Sequence, residues 1–109
     1  MEARFIQRST MVDYTPDAAV SAGDVIALGS LAAIAHLDIP ANALGAVSIS
    51  GVYEVAKGTS ESVSLGAKVY WDATNSVATC TASANLYLGR AVQAAATAAA
   101  EVVVAINLP

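Results

Sequence analysis

Charge is what this chain has least of. Only 13% of its residues are Asp, Glu, Lys or Arg, against about a quarter in an ordinary soluble domain. Five Lys and Arg face nine Asp and Glu, a formal net charge of −4. That balance argues against nucleic-acid binding, which needs a basic face to neutralise phosphates. Cys80 is the only cysteine and His36 the only histidine. No intrachain disulfide and no Cys-based zinc site can therefore form, and synthesis in a reducing cytoplasm is expected. Long apolar runs are missing too: the best uncharged stretch, residues 25–37, is too short for a membrane span and contains Gly29, Ser30 and His36. Met1-Glu2-Ala3-Arg4 lacks the apolar run of a signal peptide.

Catalytic patterns are equally scarce. A lone histidine, flanked by Ala35 and Leu37, reads as structural because acid–base and metal sites are built from clusters. Cys80 lies between Thr79 and Thr81 with no cationic neighbour in sequence, so nothing local lowers its pKa. Lys57-Gly58-Thr59-Ser60 has phosphate-loop residue types in the wrong order. Asp13, Asp17 and Asp24 are too widely spaced for a calcium loop. The expectation is a non-enzymatic protein with no catalytic, cofactor or metal residues.

What is present suits one small domain of 109 residues. The 56% hydrophobic share includes 25 alanines, which bury little area each. A weakly charged, Ala-rich surface is nevertheless easily buried against copies of itself, a hint of an oligomer. Residues 1–17 are polar and irregular, with Phe5 and Ile6 as the main apolar anchors and Pro16 near the end; they read as an arm or edge strand. Beyond them, short strand signals follow one another. Ala22-Gly23-Asp24 is a turn before Val25-Ile26-Ala27-Leu28. Residues 31–37 fit strand or helix, and residues 41–44 fit one short turn. Ala46-Val47-Ser48-Ile49-Ser50 alternates, Gly51 breaks it, and Val52-Tyr53-Glu54-Val55 resumes it. Lys68-Val69-Tyr70-Trp71 precedes a hairpin turn at residues 72–76 and a Thr-rich return strand over residues 77–82. Residues 87–92 and 102–108 are two further strands.

Residues 93–101 are the point of conflict. Alanine has the highest helix propensity, yet so short a helix is marginal alone and its flanks are β-like. The expectation is an extended stretch and a loop, hence a mainly β barrel or sandwich of short strands, with room for at most one short helix. On a strand, Tyr70 and Trp71 point to opposite faces. One is expected in the core and the other at an edge or a subunit contact, alongside Tyr53 and Val69.

Taken in order, these elements resemble a family of small phage and prophage proteins of similar length, often labelled "predicted phage recombinase", some of which act as capsid decoration, or cement, proteins. The residues carrying the resemblance are Phe5-Ile6-Gln7, Asp13-Tyr14-Thr15, Ala22-Gly23-Asp24-Val25 with Gly29, and Ala35 with Asp38-Ile39. They continue through Gly45, Gly51-Val52-Tyr53-Glu54-Val55 and Lys57 to Gly66-Ala67-Lys68-Val69-Tyr70-Trp71-Asp72, the most distinctive piece. Leu88-Gly89-Arg90-Ala91 and Ile106-Asn107-Leu108 complete it. Ser9 stands where the family usually has glycine, and Ala41-Asn42 where Ala-Gly is common; both are turn positions that Ser or Asn can fill.

The resemblance implies a compact β-tulip fold similar to the head decoration protein of lambda-like phages. It also implies a homotrimer on the outer surface of the expanded head, gripping the major capsid protein of a particle assembled in the bacterial cytoplasm. Phe5, Ile6, Gln7 and Arg8 are then the expected capsid contacts, through strand addition by an arm at residues 1–17 on a single β-rich domain at 18–109. Two rival readings are a tail or head-completion component, and a DNA-acting accessory protein. The second finds no nucleotide-binding loop and the wrong sign of charge.

Overall fold

The structure, a computed structural model, describes residues 11–109. Nine strands form: β1 (Met11–Tyr14), β2 (Val25–Leu28), β3 (Leu31–Ala35), β4 (Gly45–Ser48), β5 (Val52–Ala56), β6 (Lys68–Asp72), β7 (Val77–Thr79), β8 (Leu86–Ala91) and β9 (Glu101–Ile106). They make two antiparallel sheets, ordered β1-β4-β3-β2 and β5-β9-β8-β6-β7. No helix occurs among the described residues, so the mainly β expectation stands without the short helix. The Ala-rich stretch of residues 93–100 is irregular. Val63 and Ala95 exchange backbone bonds across it at 2.9 and 2.8 Å, a tertiary partner that overrides alanine's helix propensity.

The first sheet carries buried residues on both of its faces. Ala32, Ile34 and Val25 turn inward to the main core, which is filled by Val55, Val69, Leu88, Val102, Val104 and Ile106 of the second sheet. Ile26, Ala33, Ala35 and Val47 face the other way, under Ile39, Val20, Val12 and Tyr14. Strand β3 is therefore buried at four consecutive positions, Ala32 to Ala35. A strand buried on both sides loses the alternation that identifies strands, which is why residues 31–37 fit two patterns. The β2–β3 hairpin turns through Gly29-Ser30. Gly29 has φ +63° and Ser30 is not in the positive-φ region, the two-residue turn that favours glycine first.

The second sheet alternates cleanly in β9, where Val102, Val104 and Ile106 are buried. Strand β8 does not. Val69 pairs with Gly89 but Tyr70 pairs with Tyr87, leaving Leu88 as an extra residue. This bulge reverses parity, so that Leu88 and Ala91 both reach the core. The sheet curls until its outer strands meet: a parallel bridge joins Lys57, after β5, to Ala78 in β7. Lys57 is 4% exposed. It donates to the carbonyls of Gly58 and Glu61 at 2.7 Å and of Thr97 at 3.2 Å. A buried charge is tolerable only when so hydrogen-bonded. Lys57 thereby ties together the loops that precede β6 and β9.

Candidate functional site

Several polar groups bind the sheets into one body. Next to β3, His36 Nε2 lies 2.8 Å from both Tyr53 Oη and Ser48 Oγ, and its ring meets the Tyr53 ring edge-on at 5.7 Å. Ser48 belongs to the first sheet and Tyr53 to the second, so the cluster bridges the two. A serine beside an imidazole has the outline of a nucleophile and base, but Ser48 is only 5% exposed.

Asn107, at φ 59°, closes the opposite end. Its amide nitrogen donates to Ala32 O at 2.8 Å and Ile49 O at 2.6 Å, while its oxygen accepts from Ala32 N at 3.3 Å. On β8, Tyr87 Oη donates to Leu108 O, and Arg90 donates to Pro109 O at 2.8 Å and Gly66 O at 2.9 Å.

Two concavities open on the surface. The larger, about 720 Å³, runs along β2 between the sheets, with Val25 and Ala27 on one wall and Trp71, Leu86 and Ala84 on the other. The smaller, about 520 Å³, has Leu31, Val52 and Leu108 around its rim, all more than a third exposed.

The surface electrostatics are local. Asp72 accepts from the Thr74 and Asn75 amides at 3.0 and 3.2 Å and from the Asn75 side chain at 2.8 Å. The Asn75 side chain, more than the backbone bonds, holds its carboxyl below the usual aspartate value. Glu101 and Glu54 are diagonal neighbours on β9 and β5. Their hydrogen bond, then their mutual repulsion, raises the Glu101 carboxyl. Burial, with Glu61 nearby, pushes the Cys80 thiol up, Lys57 opposing it; a thiol held neutral is a poor nucleophile. No group of three His, Cys, Asp or Glu able to hold a metal occurs among the described residues. No helix among them is long and apolar enough to cross a membrane.

The residues singled out by sequence do not form one site. Phe5, Ile6, Gln7 and Arg8 lie outside the described residues. Val69 is fully buried. Trp71 packs against the same core while lining the larger groove. Tyr70 is on the other face, edge-on to Tyr87 at 5.4 Å. Tyr53 reaches the His36 cluster. Lys57 and Asn107 were named among the residues carrying the resemblance but given no structural role, and the β2 groove was not foreseen; the contacts of all three depend on residues far apart in sequence.

These features define an all-β protein whose polar clusters hold its own sheets together. The family of phage cement proteins matches it over residues 6–106. The chain belongs to that family, a family of structural proteins of the phage capsid. No curated protein and no solved structure matches it.

Proposed function

We propose that the protein decorates the outer surface of the expanded phage head as a homotrimer, clamping neighbouring subunits of the major capsid protein. The observation carrying this reading is the family match, which runs over residues 6–106. Cementing requires a rigid body and repeated weak contacts, whose avidity comes from several attachment points on one particle. A body with its polar groups tied internally and little surface charge suits that task. The fold is assigned to the β-tulip type on the resemblance stated above.

In this reading the N-terminal residues, with Phe5, Ile6, Gln7 and Arg8, add to a capsid segment as a strand. Within residues 1–17, Met11–Tyr14 pairs with β4 as an edge strand of the first sheet and Pro16 is buried.

The test is addition of purified protein to heads before and after expansion, with bound protein quantified after sedimentation. Binding in many copies to expanded heads alone is the expected result. Presence in only a few copies per virion would favour a tail or head-completion role, and no affinity for expanded heads would overturn the reading. Light scattering coupled to size exclusion then reports whether the assembly is threefold.

A further inference from the structure

We infer that the edge of β2, unpaired among the described residues, is a strand-addition site for an uncharged, extended segment of a capsid subunit. The inference rests on the cement reading and goes beyond the N-terminal contact proposed with it. β2 is an outer strand of the first sheet. Leu28 pairs with Leu31 across the two-residue turn, and Ile26 with Ala33. In such a hairpin the pair at the turn exchanges both backbone bonds, and so does every second pair after it. Val25 and Ala27 therefore turn their N–H and C=O groups away from β3, ~6.8 Å apart along the strand.

Those groups face the larger groove, which Val25 and Ala27 themselves line. Natural sheets protect such edges with Lys, Pro, bulges or inward charges. β2 is Val-Ile-Ala-Leu and carries none of these. An added strand would take up both backbone pairs, and its inward side chains would meet Trp71 and Leu86. None of the residues lining the groove is charged, so a charge placed there would be desolvated without a partner. The occupant is accordingly an uncharged segment. A second copy pairing β2 with β2 would close a twofold dimer, and one adding head to tail at β2 would make the edge part of the oligomer, an outcome the solution mass of the variants reports. The occupant that the family match supplies is the capsid subunit a cement protein grips.

The test uses the full-length protein and Ala27→Glu, with Ala84→Glu as a second groove variant and Ala98→Glu as a control on an exposed loop. Ala27, Ala84 and Ala98 are all exposed, so each variant is expected to keep the parent's melting temperature and solution mass. The groove variants should lose about tenfold or more in affinity for expanded heads, and the control should bind as the parent does. Hydrogen exchange on bound particles should show new protection at the Val25 and Ala27 amides.

Undiminished binding by both groove variants, or no protection at those amides, would overturn the inference while leaving the cement reading intact. Loss of the oligomer in both groove variants would hand the edge to a second copy and overturn it as well. Failure of the parent protein to bind heads would remove the partner, and with it both proposals.

Discussion

The side chain of Asn107 meets the backbone of Ala32 as a neighbouring strand would, donating to its carbonyl at 2.8 Å and accepting from its amide at 3.3 Å. The same amide nitrogen reaches Ile49 O, so one residue at the end of β9 joins the second sheet to two segments of the first. Asparagine suits the position doubly, since it tolerates positive φ better than other side chains. Asn107→Asp keeps the shape but turns two donations into repulsion between oxygens. It should cost about 2–3 kcal/mol in urea unfolding, more than Asn107→Gly, which keeps the backbone conformation and loses only the bonds. Faster hydrogen exchange at Ala32 should accompany both.

Lys57 carries a comparable load by different means. Its three carbonyl partners come from two loops, and the farthest of them, Thr97, is 40 residues from Lys57 in sequence. Lys57→Met leaves those carbonyls without the ammonium and should destabilise by about 3 kcal/mol. Lys57→Arg should not rescue the loss, because a planar guanidinium fork does not reproduce the donor geometry of an ammonium. Thermal melts of the three proteins decide the matter.

The regions read correctly from sequence are those where one face is buried and one is not. β9 alternates at every position. β6 and its Asp72 turn announce themselves through strand formers followed by turn formers. Residues 31–37 were ambiguous because β3 has no exposed face to reveal its period. Asn42, where the family commonly has glycine, takes φ 63°, which a departure at a turn position permits. The features that hold the sheets together were illegible for a simpler reason. Asn107 and Ala32 are 75 residues apart, and nothing about an isolated asparagine or lysine says that a distant carbonyl will be waiting.

Gly89 is fixed by a close approach. A Cβ built there would lie 2.1 Å from Ala105 O, and φ is +154°. Both atoms belong to paired strands, so neither can retreat without breaking the β8–β9 ladder. Gly89→Ala should cost roughly 3 kcal/mol or more, seen as a lower urea midpoint or failure to fold. Gly58→Ala, where nothing lies within 4 Å and φ is not positive, should stay within about 0.5 kcal/mol of the parent.

Two carboxylates should move stability with pH in opposite directions. Asp72 is held below its usual value by its turn. Its contribution is therefore present above the unfolded-state pKa and lost as pH falls through the lower folded-state value. Asp72→Ala should melt below the parent at neutral pH, with the gap closing in acid. Glu101 is raised by Glu54, so its favourable contribution exists below the unfolded-state pKa and disappears as pH rises through the folded-state value. Glu101→Gln should melt no lower than the parent at neutral pH, and added salt should shrink the Glu54–Glu101 repulsion while leaving the hydrogen-bonded Asp72 effect in place.

Where the chain is cut at its N-terminus separates attachment from folding. Among the described residues the two core clusters begin at Val12; with residues 2–10 read as the capsid-binding arm, their removal should leave the melting temperature and the oligomer unchanged and weaken only attachment to heads. Removing residues 2–14 also deletes β1. Val12, which pairs with the fully buried Val47, is lost along with Tyr14, and β4 is left as a new edge. That cut should cost roughly 2–4 kcal/mol from the apolar area exposed and favour aggregation through the open strand. Denaturant midpoints and head-binding measurements on the two truncations give four readings. Loss of folding in the shorter cut would assign residues 2–10 to the core, and undiminished attachment would take the capsid contact away from Phe5, Ile6, Gln7 and Arg8.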